Sequence, residues 1–446
     1  MSKKARIEED AGKMTPSNAG HFIAPAPGSV PAVDPSSKHH PAGIMAQTWQ
    51  GCQSFCLMLP LLLGASLVQA ASEYFPGPQW QTRAPATQGF EAGRLTQAIN
   101  LAKQHETQLP AELAEYVDVK DLARVRSMYQ FTNEPFDEVI GPMAPRGAFT
   151  GMVIKNGYIV AEWGDVERVD MTHSISKTFL SSVAGLAYDA GLIRDLDDTV
   201  APYLPTSVAA EYFSQARNSQ ITWDHLLRQT SFWRGTLWGK PDWADRPGKT
   251  PWAEFARETP APGSTFKYND VRVNALALAL LHVWREPLPV VLKARLMDPI
   301  GASSSWRWHG YENSWVELDG QKMQSVSGGG HWGGGMFISA RDLGRLGLLA
   351  LHQGRWQDQQ ILSTDWIALS RTPTAANTSY GFMNYFLNTD QQTLPDLPAN
   401  SYFFAGAGSN IVYVDEDQDL VVVLRWIDRK SLNLVLKAIR GALVEG

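Results

Sequence analysis

The sequence contains very few cysteines, and both lie near its N-terminus. Cys52 and Cys56 are the only two among 446 residues. Residues 71–446 can therefore form no disulfide, no cysteine-ligated zinc site and no cysteine nucleophile. The chain also lacks a basic block, with a net charge of −6, which argues against nucleic acid as a partner. The ten histidines show no metal-ligand spacing, so neither a metal nor another cofactor is predicted.

No run after residue 70 is apolar for long enough to span a bilayer. Residues 1–44 are rich in proline, serine and alanine and are predicted to be a disordered leader. Residues 45–70 include "CLMLPLLLGASLVQA" and end in small residues, a pattern typical of a secretory signal peptide. A buried helix or an uncleaved anchor is the alternative. We therefore expect a periplasmic or secreted protein whose folded domain is residues 71–446.

Strand patterns occur at both ends of this domain, and helical patterns lie between them. "AFTGMVIKNGYIVAEWG" contains two strands joined by Asn156-Gly157, and "NIVYVDEDQDLVVVLRW" contains another pair. We predict an α+β fold, an α/β sandwich in which one antiparallel sheet of N- and C-terminal strands is flanked by helices. The sheet parts span about 85–195 and 325–446, and an all-helical insertion spans about 196–324.

A serine and a lysine stand three residues apart at the start of one apolar helical pattern. Ser174 and Lys177 in "HSISK" share one face of the first turn. A serine hydroxyl needs an adjacent base to become a nucleophile, and a desolvated lysine can supply it. The alternative is a capping serine followed by a solvated lysine.

Three motifs in order, "HSISK", "PGSTFKYND" and "GGGMFISARDLGRLG", resemble the serine β-lactamase and penicillin-binding superfamily. The resemblance covers about residues 85–443 and is closest to the class C-like serine hydrolase branch, which includes esterases and 6-aminohexanoate-dimer hydrolases. It implies a β-lactamase/transpeptidase-like fold and an acyl-enzyme mechanism without a cofactor.

The resemblance assigns catalytic roles to three residues. Ser174 would be the nucleophile, Lys177 its proton partner, and Tyr268 the tyrosine that shuttles a proton to the leaving group; Tyr268 could instead be an ordinary loop residue. The family's Y-x-N motif has an aspartate here, Asp270. Asp270 could form an ion pair with Lys177, or it could only cap the following helix.

Besides S-x-x-K and Y-x-N, the family has a third catalytic motif, K-T-G or H-x-G, on an edge strand. This third motif is the weakest match. Phe404-Ala405-Gly406 occupies its place in "FFAGAGSN". The resemblance implies an oxyanion hole formed by the backbone N–H groups of Ser174 and Ala407, which needs no particular side chain. A glycine-rich strand edge without a catalytic role is the alternative.

Two further groups are candidates for a substrate pocket. Trp233, Trp238 and Trp243 lie in one polar loop, where they could line a pocket or simply pack the loop. His331 lies in "SGGGHWGGG" and is expected to be structural or at the rim of the cleft. The glycines around it indicate tight backbone packing or a mobile loop.

Three classes of function stay open. The first is an exported serine hydrolase. It would be an esterase or amidase, or alternatively a β-lactamase or D,D-peptidase, enzymes that act on acidic substrates. The second is a non-catalytic penicillin-binding-type protein on the same fold, and the third is a structural partner protein. We expect a small ester or amide that is neutral or amine-bearing as the substrate, because Phe404 and Ala405 replace the Lys-Thr pair that holds a substrate carboxylate in the family. The oligomeric state is not predicted.

Overall fold

The structure is a computed structural model that describes residues 73–111, 136–245 and 260–444. The chain divides into two units, Met1–Gln69 and Ala70–Gly446, and all described residues belong to the second unit. The predicted leader and signal peptide, with both cysteines, lie outside the described residues.

A six-stranded antiparallel sheet forms the centre of the described structure. In spatial order its strands are β11 (Phe386–Leu387), β12 (Tyr402–Gly406), β13 (Asn410–Asp415), β14 (Leu420–Arg425), β1 (Thr150–Lys155) and β2 (Tyr158–Trp163). Strand β1 pairs with β14, so strands from the two ends of the domain form one sheet, as predicted. Asn156 and Gly157 turn between β1 and β2 with φ of 52° and 80°, the positive values that a two-residue hairpin turn requires.

The helices surround this sheet or build the inserted part of the chain. They are α1 (Ala92–Lys103), α2 (Ser176–Asp189), α3 (Thr206–Tyr212), α4 (Trp223–Leu227), α5 (Asp270–Trp284), α6 (Leu288–Leu292), α7 (Ala340–Leu351), α8 (Thr364–Ser370) and α9 (Leu432–Arg440). Among the described residues no single helix could cross a membrane; only α5 together with Leu288–Met297, bent by 74°, has the necessary length and composition.

Successive residues of the central sheet point into two separate hydrophobic cores. Val153 and Val422 contribute to one core, in which α1 and α9 pack. Met152 and Val421 contribute to the other, larger core, which contains α7 and the helices of the insertion. Helices on both faces give the two-sided architecture that the sequence patterns predict.

The insertion contains strands as well as helices, which differs from the all-helical prediction. A second sheet has the order β3 (Asp170–Met171), β8 (Gly335–Ile338), β6 (Arg307–Leu318) and β7 (Gln321–Val326). The insertion also contains a short hairpin of β4 (Thr236–Leu237) and β5 (Lys240–Pro241), whereas β3, β8 and the hairpin of β9 (Arg355–Trp356) and β10 (Gln359–Gln360) lie outside the insertion. The turn between β6 and β7 is Asp319-Gly320, with φ of 54° and 72°. This dipeptide favours the same hairpin turn as Asn156-Gly157. The sequence therefore contained a signal for β6 and β7, the two strands that the prediction omitted.

Candidate active site

Ser174 lies in a 3₁₀ turn, His173–Ile175, that runs directly into α2. The residues in the N-cap positions of this turn and of α2 are Thr172 and Ile175, so Ser174 is not a helix cap. The spacing of three residues brings the two side chains together as predicted, with Lys177 Nζ donating to Ser174 Oγ at 3.0 Å.

His173 fixes the backbone immediately before Ser174. Its φ of 49° lies in the left-handed region, which is uncommon for residues with a side chain and often marks a functional turn. The ring is buried and meets Trp426 edge-on, with the ring centroids 6.2 Å apart. Burial lowers the pKa of His173 to about 4, so the imidazole is neutral at pH 7.

Lys177 is completely buried, and three acceptors surround its ammonium group. Nζ lies 3.0 Å from Ser174 Oγ, 2.9 Å from the carbonyl oxygen of Gly328 and 2.7 Å from Asp270 Oδ1. An ammonium group has three protons to donate and no lone pair. The three contacts therefore fit a charged lysine that donates to the serine oxygen.

Asp270 forms a buried ion pair with Lys177, and the two side chains are 1% and 0% exposed. It is the first residue of α5, whose cap is its neighbour Asn269, which accepts a hydrogen bond from the N–H of Arg272 at 3.0 Å. Of the two alternatives for Asp270, the structure therefore has the ion pair and not the helix cap.

Asp245 and His331 extend the charge cluster around Asp270. Asp245 accepts a hydrogen bond from the Asp270 N–H at 2.6 Å, and His331 Nδ1 lies 3.7 Å from Asp245 Oδ1. One ligand atom from each of the three residues lies within 4.8 Å of the others, a geometry that could hold a cation. The ammonium group of Lys177 already supplies a positive charge beside Asp270 and would repel a second cation. The His331 side chain is only 6% exposed although the residue as a whole is half-buried, which supports a structural position over one at the rim.

Tyr268 is half-buried, and its ring centroid lies 5.1 Å from Lys177 Nζ. The structure thus brings Ser174, Lys177, Tyr268 and Asp270 into one site. Tyr268 also interacts electrostatically with Arg429, an exposed residue that starts the 3₁₀ turn Arg429–Ser431. Sequence reasoning missed Arg429, because no motif distinguishes it from other surface arginines.

The segment aligned with the third motif lies beside the nucleophile turn. A Cβ added to Gly406, the last residue of β12, would lie 1.8 Å from the carbonyl oxygen of Thr172. Only glycine allows the two backbones to approach this closely. Phe404 and Ala405 point into the two cores on opposite faces of the sheet, and Ala407 packs against a small cluster of Leu109, Met171 and Trp426.

The glycine-rich segment 328–335 packs tightly against the same turn. Added Cβ atoms at Gly328, Gly329 and Gly330 would lie 2.4 Å from Val273, 2.0 Å from the His173 carbonyl oxygen and 2.5 Å from Asp270 Oδ2, respectively. Of the two interpretations of these glycines, the structure shows close backbone packing.

The three tryptophans of the 233–243 loop do not form one pocket wall. Trp233 is fully buried in the core, where its Nε1 donates to the carbonyl oxygen of Tyr212 at 2.8 Å. Of the two alternatives for Trp233, pocket lining and packing of the loop, this burial in the core supports packing. Trp238 is partly buried and packs against the same core. Trp243 is half-buried and meets the exposed Phe136 edge-on, at 5.4 Å between ring centroids.

Two buried arginines near the site are engaged within the fold. Arg425 donates to Asn410 Oδ1 at 3.0 Å and to the carbonyl oxygen of Met171 at 2.7 Å. Arg272 lies over the Phe232 ring and 3.7 Å from Asp242. Both therefore hold structural contacts and do not offer a free cation to a substrate.

Comparison with known proteins places the chain in a family. The model of the family described as Beta-lactamase matches residues 152–426, which include Ser174, Lys177, Tyr268 and Gly406. No curated protein matches the chain.

Solved structures with low sequence identity resemble this one. EstCE1, a hydrolase with promiscuous acyltransferase activity, is 16% identical, with 77% of this chain and 100% of that chain covered and a TM-score of 0.47. A penicillin-binding protein homologue from Caulobacter crescentus is 13% identical, with coverages of 73% and 98% and a TM-score of 0.47. A penicillin-binding protein from Bacillus halodurans is 16% identical, with coverages of 66% and 95% and a TM-score of 0.46. By the family match over residues 152–426, the chain belongs to the β-lactamase family, whose members are generally serine hydrolases.

Proposed function

We propose that this protein cleaves ester or amide bonds through an acyl-enzyme on Ser174. The observation that carries the proposal is the 3.0 Å contact between Lys177 Nζ and Ser174 Oγ, with the Tyr268 ring 5.1 Å from the same nitrogen. A serine oxygen becomes a strong nucleophile when one neighbour removes its proton and another stabilises the negative charge.

We assign the general base role to Tyr268 and the electrostatic role to Lys177. Lys177 Nζ donates to Ser174 Oγ and to the Gly328 carbonyl oxygen and forms an ion pair with Asp270, contacts that fit an ammonium group, which has no lone pair to accept a proton. Its positive charge stabilises the negative charge that develops on a phenolate or on Oγ. Asp270 balances this positive charge through the buried ion pair.

The reaction would proceed in two halves. Tyr268 takes the Ser174 proton as Oγ bonds to the carbonyl carbon, and the backbone N–H groups of Ser174 and Ala407 stabilise the oxyanion. The bond to the leaving group then breaks, and the leaving group takes the proton from Tyr268. In the second half Tyr268 removes a proton from water, which attacks the acyl carbon, and Ser174 Oγ leaves with that proton.

We further propose that the substrates are neutral or amine-bearing. Phe404 and Ala405 stand where a Lys-Thr pair would hold a carboxylate, and both side chains point into the cores. Arg425 and Arg272 are engaged elsewhere. Arg429 is a second cation, besides Lys177, that interacts with Tyr268 and could favour acids instead, so turnover of β-lactams is the alternative that an experiment must separate.

Hydrolysis of p-nitrophenyl acetate by wild type and Ser174→Ala tests the reaction, with Ser182→Ala as the matched control. Ser182 is a buried serine of α2, the helix that follows the Ser174 turn, and it donates to the Thr178 carbonyl oxygen at 2.9 Å. We expect Ser174→Ala to lose activity by several orders of magnitude, and Ser182→Ala to keep it. Intact-mass spectrometry should show an acetyl adduct on wild type and on Ser182→Ala, but not on Ser174→Ala.

The hydrolysis assay, together with penicillin labelling, separates a catalytic serine from the alternative functions. A Ser174→Ala protein that kept more than about a tenth of the activity would contradict the nucleophile assignment. Labelling by penicillin without turnover of any ester or amide would indicate a non-catalytic penicillin-binding-type protein.

We propose export on sequence grounds, with residues 45–70 as the signal peptide. Cell fractionation and N-terminal sequencing of the protein from its own host should find a periplasmic or secreted chain that begins near residue 71. A protein retained in the cytoplasm with an intact N-terminus would contradict this proposal.

A further inference from the structure

Gln229 holds the chain on both sides of Tyr268. It follows α4, is 1% exposed and has a φ of 56°. Its carbonyl oxygen accepts a hydrogen bond from the N–H of Lys267 at 3.0 Å, and its side-chain Oε1 accepts one from the N–H of Asn269 at 2.7 Å. The residue between these two donors is Tyr268.

The amide group of Gln229 is itself fixed by Tyr380. Nε2 donates to the Tyr380 hydroxyl at 3.0 Å, and the same oxygen accepts a hydrogen bond from the N–H of Asn384 at 2.7 Å. Tyr380 is buried, which raises its pKa, so the hydroxyl stays neutral. Its ring meets the Tyr268 ring edge-on, with centroids 6.3 Å apart. The phenol ring and the backbone of Tyr268 are thus both linked to Gln229.

The conformation of Gln229 also indicates a specific requirement. A φ of 56° is unfavourable for a residue with a Cβ, and such residues persist where surrounding contacts determine them. This conformation allows the carbonyl oxygen and the side chain of one residue to reach two N–H groups that are two residues apart. The side chain must accept from Asn269 while it donates to Tyr380, and a glutamine amide can do both.

We propose that Gln229 is a positioning residue for Tyr268, which it holds at the reacting atoms by fixing the residues before and after it. The proposal rests on the proposed function, in which Tyr268 transfers the protons. Small displacements of a catalytic group reduce the rate strongly, because proton transfer needs hydrogen-bond distance between donor and acceptor.

Gln229→Met tests this role, because methionine has a similar volume and can replace neither hydrogen bond of the amide. We expect kcat to fall about 10- to 100-fold with KM within about threefold. Hydrogen exchange, followed by mass spectrometry, should become faster in a peptide that contains the Lys267 and Asn269 amides, because one of the two loses its acceptor.

Gln324→Met is the matched control. Gln324 also accepts from a backbone N–H, that of Gly310 at 3.2 Å, and donates to a carbonyl oxygen, that of Tyr311 at 2.9 Å. It lies in β7 and makes neither contact with the Tyr268 segment. We expect kcat and exchange at residues 267–269 to stay at wild-type values.

A Gln229→Met protein with wild-type kcat, or with unchanged exchange at residues 267–269, would overturn the positioning role. A general loss of folding would instead accelerate exchange in the central sheet as well, and would also count against a specific role. If wild type shows no Ser174-dependent hydrolysis, the proposed function fails. The exchange rates alone would then decide whether Gln229 holds the Tyr268 segment.

Discussion

Lys177 and Asp270 form an ion pair that is closed to solvent, with Nζ 2.7 Å from Oδ1. Removing one member of a buried pair leaves the other charge uncompensated, which typically costs about 3–5 kcal/mol. We therefore expect Asp270→Asn to lower the free energy of unfolding by about this amount in urea titrations. Asp298→Asn, which breaks the exposed Lys293–Asp298 pair, should cost less than about 1 kcal/mol. Equal losses in the two variants would contradict the importance of burial.

Lys177→Ala and Tyr268→Phe should each reduce kcat for ester hydrolysis with little change in KM. Both residues act in our proposal on proton transfer and on the charge that develops with it, effects that contribute about 10²- to 10⁴-fold. Tyr203→Phe is a suitable control, because Tyr203 is a half-buried tyrosine whose hydroxyl bonds to Asp198. Normal turnover by Tyr268→Phe would show that Tyr268 is only a loop residue.

His173 should make the folded protein less stable in mild acid. Its pKa is about 4 in the folded protein and about 6.5 when exposed, so below pH 6.5 the unfolded chain binds a proton that the folded protein does not. This contribution to stability is therefore complete above pH 6.5 and is lost as the pH falls towards 4, by about 3 kcal/mol in total.

His173→Asn isolates this effect, because asparagine tolerates a positive φ and does not titrate in this range. Urea unfolding of both proteins from pH 7 to pH 4 should show the wild type losing about 3 kcal/mol more than the variant. Parallel pH profiles would mean that the buried imidazole becomes protonated without cost.

Gly406→Ala should disable the site, because the new Cβ would lie 1.8 Å from the Thr172 carbonyl oxygen. Either β12 or the nucleophile turn must move, so we expect both a lower melting temperature and slower fluorophosphonate labelling of Ser174. Gly77→Ala is the control, because a Cβ at Gly77 would meet nothing within 4 Å. Wild-type labelling of Gly406→Ala would place β12 farther from the nucleophile.

The ratio of kcat/KM for a simple ester to that for a cephalosporin should favour the ester about tenfold to hundredfold. A substrate carboxylate would lack the charge-assisted hydrogen bond that a lysine in the third motif provides, worth roughly 1.5–3 kcal/mol. Arg429→Ala should leave this ratio unchanged within about threefold if Arg429 does not bind the substrate. A higher kcat/KM for a cephalosporin than for every ester and amide tested would contradict the substrate proposal.

Local patterns were sufficient to predict much of the fold. Asn156-Gly157 predicted a hairpin because a two-residue turn with positive φ needs these residue types, and Ser174 and Lys177 meet because residues three apart share a helical face. The hairpin at Asp319-Gly320 was missed although the same rule applies to it. The strands there lie within a region whose other patterns are helical.

The remaining features of the site depend on contacts between segments that are distant in sequence. Neither Asp245 nor His331 belongs to a motif, and they meet Asp270 only because the fold brings three separate segments together. Gln229 looks like an ordinary polar residue in "LLRQTS". Its role depends on a backbone φ of 56°, and a glutamine, unlike a glycine or an asparagine, does not signal such a value.

The carbonyl oxygen of Gly328 that accepts a hydrogen bond from Lys177 belongs to the main chain, so no amino-acid exchange can delete this contact. A substitution can therefore disturb this contact only by adding a side chain to the glycine segment. Any Cβ at Gly328, Gly329 or Gly330 would push against Val273, the His173 carbonyl oxygen or Asp270, and so against the surroundings of the nucleophile. In a library of single variants, we therefore expect substitutions at these three consecutive glycines to be poorly tolerated, because any side chain there would displace the surroundings of Ser174.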